Sequence, residues 1–488
     1  MSSIPECKDG AHAPEPPLFV DLDGTLIKGD LLVESFFVLA RMSPLHALMA
    51  PIWLLRGKAY LKQRIAERVD LDPAELPYSQ GFVEFLREQA TRNRRLFLAT
   101  ASDISLARVV AAHLGFFSGV VASDGQWNMK GSRKLEAIAA AAEGGPFDYA
   151  GNGCVDLAVW SSARKAILVN PDRGVERAAA KITEVDRVFE DRRRGLRTYL
   201  KAMRVHQWLK NLLVFVPLLT AHAWGDTSAI VRSLIAFFAF GLCASAIYLI
   251  NDLLDLPADR SHPRKRNRPL AAGDLPLTRG LALVPVLLAS GVGLATRLPN
   301  EFLASLLLYL AFSIAYAVHL KTYVLIDVML LAVLYTLRVI GGAFAIEAPP
   351  SFWLLAFSMF IFLSLSLIKR CAELINLAVL GRLQAPGRDY HSHDIEFLAS
   401  MGMASGYVAI LVLALFISDT DVASHYNYPQ GLWILCPLIL YWISRLWLKT
   451  GRGEMHDDPI IFTLKDRGSR YVIAACVVVI VVSTRLPG

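Results

Sequence analysis

From Trp208 onward the sequence is a succession of long apolar runs separated by short charged gaps, and this pattern constrains the fold more tightly than any motif. The runs fall near residues 211–224, 230–250, 280–296, 301–319, 324–345, 352–368, 402–418, 430–447 and 470–485. A bilayer core is about 30 Å thick, and the runs read as about nine spans of it. Backbone in lipid must satisfy its own hydrogen bonds, so the expectation is an all-α polytopic membrane bundle. The 54% apolar content and the mean hydropathy of +0.42 agree, both being high for a soluble chain.

The net charge is +7, and its placement matters more than its size. Lys and Arg crowd into "ADRSHPRKRNRP", "HLKTY" and the gaps after 368 and 447, whereas "AIEAPPS" and "SDTDVASHYNYPQ" hold none. This alternation follows the positive-inside rule. It predicts a multi-pass inner (plasma) membrane protein with a cytoplasmic N-terminal domain and its C-terminus outside. The basic residues read as topology determinants and anion ligands, with no nucleic-acid surface. Six scattered cysteines without CxxC spacing give no sign of a disulfide framework or zinc site. Residues 1–16, polar and Pro-rich, read as a disordered tail and not as a signal peptide. The oligomeric state is not legible.

Residues 17–185 have a mixed composition and read as a separate α/β domain. "PLFVDLDGTL" is a buried strand ending in Asp21 and Asp23, at the strand edge where open α/β sheets bind ligands. Two carboxylates so close repel unless a cation lies between them, and Mg2+ suits hard oxygen ligands. Asp21 can then act as a nucleophile and Asp23 as general acid and base. A second strand, "RRLFLATASD", brings Thr100 as a phosphate-binding hydroxyl. "NMKGSRKLEAI" supplies Lys130 and Lys134 as cations opposite the phosphate, and "FDYAGNGCVDLAVW" offers Asn152 and Asp156 on the metal side.

These four motifs in this order resemble the haloacid dehalogenase (HAD) phosphatases, nearest the phosphoserine-phosphatase type, over about 160 residues. The resemblance implies a Rossmannoid sheet with a helical cap. It makes Asp21 the nucleophile, Asp23 the acid/base and Asp156 a magnesium ligand. Thr100 and one lysine, Lys130 ahead of Lys134, become the phosphate binders. Asn152 stands where the family usually has Asp, which removes one charge from the metal site. The apolar stretch 35–55 is interrupted by Arg41, Pro44 and Pro51, so it reads as cap helices able to lie on a bilayer surface.

Residues 186–207 form a basic interfacial linker, and 208–488 the membrane domain. At the end of the second run, "YLINDLLDLPADRSHPRKRNRP" puts Asn251, Asp252, Asp255 and Asp259 at helical steps of three and four. Such a face is costly at a membrane interface without cations. Magnesium bridging to a diphosphate would neutralise it, with Lys265, Arg266 and Arg268 on the remaining phosphate oxygens. Further candidates are Tyr316, Lys321, Asp327 and Arg338, then Lys369, Arg370 and Glu373 on one helical face.

NDxxDxxxD followed by a basic loop, in about nine spans, resembles the UbiA superfamily of intramembrane prenyltransferases. That implies a helical bundle around a cavity open to the cytoplasm and a magnesium-diphosphate leaving group. Many prenyl-transferring members have a second Asp-rich motif where this chain has Asp327 alone. "MRVHQWLKNLLVF", "LKTYVLIDV" and "KRCAEL" look like the decaprenyl-phosphate phosphoribosyltransferase branch, over roughly 197–488. That branch moves 5-phosphoribose from phosphoribosyl pyrophosphate to a polyprenyl phosphate.

The expectation is therefore a bifunctional, magnesium-dependent membrane enzyme. Phosphoribosyl transfer at Asp252, Asp255 and Asp259 is followed by removal of the 5-phosphate at Asp21. The alternative is prenyl transfer from a prenyl diphosphate to an aromatic or quinone precursor, with a regulatory or inactive HAD domain. A non-enzymatic transporter is the remaining reading.

Overall fold

The structure, a computed structural model, describes residues 15–124, 129, 131–193, 195–262, 264–348, 350–379, 381, 388–419, 426–455 and 458–485. Residues 1–14 of the expected tail lie outside this set. Two compact units emerge, one of residues 1–202 with 252–282, the other of 203–251 with 283–488.

The first unit is built on six parallel strands. They are β1 (Leu18–Val20), β2 (Leu96–Asp103), β3 (Gly119–Ser123), β4 (Asp148–Gly151), β5 (Lys165–Val169) and β6 (Glu184–Phe189). Their order is β3-β2-β1-β4-β5-β6, and Val20 lies level with Leu98 and Ala150. Alternate side chains leave opposite faces of a strand, so the wholly apolar β1 serves two cores. Leu18 and Val20 pack with Phe82, Leu86 and Val110, whereas Phe19 packs with Ile138, Trp160 and Val175. The strand order reverses between β1 and β4, which is where open sheets of this kind bind ligands.

After β1 come four helices, α1 (Leu31–Met42), α2 (Pro44–Leu48), α3 (Ala50–Leu55) and α4 (Lys58–Ala66). Asp30 starts α1 by accepting from the N–H groups of Leu32 and Val33 at 3.0 and 3.3 Å. Trp53 packs inward with Leu39, Ile65 and Val69. Next in this unit are α5 (Gln80–Thr91), α6 (Ile104–Leu114) and α7 (Ser132–Ala141).

Eight helices among the described residues are long and apolar enough to cross a bilayer, the first two being Thr227–Leu254 and Leu277–Ala295. The chain is an integral membrane protein. The expected run at 211–224 forms no spanning helix. It lies in a 3-10 helix, Val205–Phe215, and the five-residue helix Val216–Thr220, with Pro217 in its first turn and the backbone turning left-handed at His222. A side chain and the backbone of this segment are fitted to glycines of the second unit. A Cβ on Gly241 would stand 2.8 Å from the Trp208 ring, and one on Gly342 2.1 Å from the Val214 carbonyl oxygen. The Trp208 indole donates to Ser245 Oγ at 2.9 Å.

Candidate functional sites

The first site stands at the reversal point of the sheet. Asp21 follows β1 directly, and its N–H donates to the Ala150 carbonyl of β4 at 2.9 Å. Lys134, buried on the first turn of α7, donates to Asp21 Oδ1 at 2.7 Å. Lys130 lies outside the described residues. Asp23 takes the Leu31 N–H on Oδ1 and the Ser102 hydroxyl on Oδ2, both at 2.7 Å. Thr100 Oγ1 accepts from the Ser102 N–H at 3.0 Å, so Thr100 holds the strand end that presents Ser102. The turn directly after the aspartates needs glycine. Gly24 has φ +79°, and a Cβ there would stand 2.3 Å from Asn152 Nδ2.

Burial pushes the Asp21 carboxyl up to about 6, opposed by Lys134. Burial, then the charges of Asp30 and Asp21, push Asp23 up to about 7. The loop after β4 is organised by Asp156. Its Oδ2 accepts the N–H groups of Asn152 and Gly153 at 3.0 and 2.9 Å, and its Oδ1 accepts the Tyr149 hydroxyl at 2.8 Å. Lys134 lies 3.9 Å away from Oδ1. Both Asp156 oxygens thus have protein donors, while Asn152 Oδ1 faces Thr25 Oγ1 at 3.4 Å. Ser102 and Tyr149 escaped the sequence reading. "TASD" held the only sign of Ser102.

The second site is the aspartate-rich loop, which belongs to the first unit from Asp252 onward. The expected continuous helical face is broken. Helix Thr227–Leu254 ends after Asn251 and Asp252, Asp255 occupies the junction, and Asp259 sits on a short helix, Leu256–Arg260, with Pro257 in its first turn. The carboxylates still converge. Asp252 Oδ1 and Asp259 Oδ2 lie 3.1 and 2.5 Å from the same Arg268 nitrogen, Nη1, with both aspartates buried. Among the described residues no three His, Cys, Asp or Glu side chains form a group that could hold a metal ion, and Arg268 is the cation that bridges Asp252 and Asp259. Asp255 is half-buried, and Lys265 and Arg266 are exposed.

The same loop grips the first site. Arg260 donates Nη1 and Nη2 to Glu34 of α1 at 2.9 and 2.6 Å, and Nε to the Ala271 carbonyl at 3.1 Å. Arg192 bridges the carbonyls of Lys28 and Gly273.

The second unit gathers the other sequence candidates into buried and half-buried polar contacts. Arg370 binds Asp327, whose other oxygen accepts the Tyr390 hydroxyl, so this cation and this carboxylate neutralise each other. Glu373 binds Arg370 and Arg388. Tyr316 lies among the charges of Arg388, Lys369 and Arg370. Arg338 donates to Asn211 Oδ1 and the Tyr309 hydroxyl, each at 2.9 Å. Lys321 donates to Asn251 Oδ1 at 3.3 Å. Lys369 lies 3.5 Å from Asp458, not against Glu373 on its own helix. Asp458 also takes Lys210 at 2.6 Å. Neither Lys210 nor Asp458 was singled out from the sequence.

A profile of the UbiA prenyltransferase family matches residues 211–373. An uncharacterized protein of Sinorhizobium fredii is 36% identical over 459 residues, which cover 93% of this chain and 89% of that one. A decaprenyl-phosphate phosphoribosyltransferase of Mycobacterium tuberculosis is 31% identical over 273 residues, 55% of this chain and 88% of that one. The solved structure of a UbiA homolog from Archaeoglobus fulgidus bound to GPP and Mg2+ matches with a TM-score of 0.46 and 15% identity, over 58% of this chain and 99% of that one.

Proposed function

The chain belongs to the UbiA prenyltransferase family, and we propose that it transfers 5-phosphoribose from phosphoribosyl pyrophosphate to a polyprenyl phosphate and then removes the 5-phosphate at Asp21. The name of the Mycobacterium relative supports the phosphoribosyl group and the polyprenyl-phosphate acceptor. The observation that carries the transfer step is the convergence of Asp252 and Asp259 on Arg268. Asp252, Asp255 and Asp259 would hold Mg2+, which when bound neutralises the donor's diphosphate and makes it a better leaving group. Arg268 then exchanges its carboxylate partners for phosphate oxygens. Lys265 and Arg266 reach the same anion. The acceptor phosphate is its own nucleophile, so the protein contributes positioning and electrostatics.

The second step rests on the Asp21–Lys134 pair and the order of motifs that resemble HAD phosphatases. Asp21 attacks the 5-phosphate phosphorus, and the P–O5 bond breaks as Asp23 gives its proton to the departing ribose oxygen. Water then attacks the aspartyl-phosphate, with Asp23 taking the proton. Lys134 keeps Asp21 ionised and balances the incoming phosphate charge. Asn152 and the aspartates offer oxygen ligands for Mg2+. The raised Asp23 carboxyl suits a group that must begin as an acid. The distribution of basic gaps supports a cytoplasmic location for both sites and an outside C-terminus.

The test uses purified protein, Mg2+, a short polyprenyl phosphate and phosphoribosyl pyrophosphate labelled on the ribose. Wild type yields a ribosyl lipid, and Asp21→Asn accumulates its 5-phosphorylated form. If the same lipid product forms in both, Asp21 is not a catalyst. If label never reaches lipid, the ribose reading is wrong and prenyl transfer to an aromatic acceptor replaces it.

A further inference from the structure

Between Ser35 and Ala66 the sequence carries five Lys or Arg residues and no Asp or Glu. Within that stretch α2 and α3 run almost without a break from Pro44 to Leu55. Leu45, Leu48, Ile52 and Leu55 recur at steps of three, four and three, the spacing of one helical face. More than half of each of these residues is exposed. Leu55 is 88% exposed, Leu45 78%, Leu48 75% and Ile52 57%, with Met42 and Leu54 exposed beside them. The opposite side is fixed, because Trp53 is buried and the Arg68 guanidinium lies 5.3 Å from its ring. The exposed face is therefore held by the fold and is not a frayed segment.

We propose that this face is a membrane-docking surface that lies in the headgroup region of an anionic bilayer. The chain already crosses a bilayer, so an apolar phase is tethered to it at all times. Twelve helical residues extend about 18 Å, too short to cross a bilayer core and suited to lying along it. Exposed Arg41, Arg56 and Lys58 flank the face where they can meet acidic headgroups, with Glu75 near Arg41 the one carboxylate whose charge is recorded against them among the described residues.

The inference rests on the phosphatase reading of Asp21 and adds how a phosphate ester carried on lipid reaches that site. The α1 helix connects the two features. Its first N–H, at Leu31, binds Asp23, and its last residue, Met42, adjoins α2. Docking of α2 and α3 sets the height at which Asp21 and Asp23 meet a headgroup, so a phosphate that cannot leave the lipid is still delivered to them.

Two measurements on the full chain, reconstituted in nanodiscs of phosphatidylcholine with and without phosphatidylglycerol, decide it. Nitroxides are placed at Leu48→Cys and Leu55→Cys in a background without other cysteines, with exposed Glu88→Cys of α5 as the aqueous control. Sites 48 and 55 become accessible to oxygen and shielded from a water-soluble nickel chelate, more so with phosphatidylglycerol, while site 88 shows the reverse. If 48 and 55 match 88, the surface stays in water and the proposal fails. If they are shielded from both reagents, a protein covers them and the proposal fails in favour of a second copy or a partner. Leu48→Glu/Leu55→Glu then lowers hydrolysis of the phosphoribosyl lipid in the bilayer by at least about tenfold and leaves p-nitrophenyl phosphate hydrolysis unchanged. Equal turnover of the lipid by variant and wild type removes the delivery role. A wild type inactive on both substrates refutes the phosphatase reading instead, and the nitroxides alone then decide the docking.

Discussion

Glu34 and Arg260 form a two-bond ion pair at 2.6 and 2.9 Å, with side chains only 3% and 9% exposed. Glu34 lies in the first turn of α1, three residues after the N–H that binds Asp23, and Arg260 directly follows Asp259. The loops that carry the two carboxylate sites are thus clamped to each other inside one compact unit. A Cβ on Gly29 would stand 2.5 Å from Glu34 Oε1, so the carboxylate is also pressed against the turn after Asp23.

Removing one partner of such a pair strands a buried charge, which costs more than the pair itself contributes. Arg260→Gln is expected to destabilise the first unit by about 3–5 kcal/mol. Arg260→Gln/Glu34→Gln should cost clearly less than the two single changes added together. Hydrogen exchange of the β1 and α1 peptides in the full chain reads this. A single-variant loss below about 1 kcal/mol is what an exposed pair would give, and it would rule out a buried clamp.

Arg268 lies against both Asp252 and Asp259, the carboxylates proposed to hold Mg2+, and this gives opposite signs for two measurements. In Arg268→Gln the carboxylates lose a competing cation, so Mn2+ binds the donor-free protein more tightly, as read by electron paramagnetic resonance. The same change removes a phosphate ligand, so the KM for the diphosphate donor rises by about 10-fold or more. If both constants move in the same direction, Arg268 does not exchange partners as proposed.

Local patterns revealed the first site, and long-range pairing hid the rest. Asp21 follows β1 and Lys134 opens α7, elements that hydrophobic patterning marks, so their pairing could be anticipated, whereas Thr100, read as the end of its strand, lies inside β2. Glu34 and Arg260 are 226 residues apart, and Lys210 and Asp458 are 248 apart, with nothing local to connect either pair. The run at 211–224 looked like a span because hydropathy measures side chains and is blind to backbone type. Pro217 was the legible warning. Pro257 gave the same warning in the aspartate-rich stretch, where helical spacing suggested one face and the chain makes two short elements. Lys369 and Glu373 have the spacing of a helical pair, yet Asp458 supplies a buried partner that spacing alone does not show.

Burial raises the Asp21 and Asp23 carboxyls above their ordinary values, to about 6 and about 7. A raised folded value means that the folded state binds more protons than the unfolded state between the ordinary carboxylate range and about pH 7, so stability falls as pH rises through that window. With divalent ions chelated, the midpoint for thermal unfolding of the first unit should rise from pH 8 to pH 5.5. Mg2+ should restore stability most at pH 8, where both carboxyls are charged. Asp21→Asn/Asp23→Asn should flatten both responses. A wild type whose midpoint falls on acidification over this range would show that these two groups do not dominate.

Two glycines of the membrane helices should respond oppositely to the same methyl group. At Gly342 an added Cβ meets the Val214 carbonyl oxygen at 2.1 Å. That atom is backbone, in the segment just before helix Val216–Thr220, and it cannot swing aside as a side chain could. Gly342→Ala must therefore separate this segment from helix Ile326–Ala345, at a cost of about 2–3 kcal/mol or more. At Gly293, inside helix Leu277–Ala295, a Cβ meets nothing within 4 Å. Gly293→Ala is expected to be neutral or to stabilise by up to about 1 kcal/mol, because alanine restricts the unfolded backbone. Unfolding midpoints of the purified full chain in one detergent compare the two directly. Equal midpoints for the two variants would mean that the 205–220 segment is not seated against Gly342, and the close fit described for it would have to be abandoned.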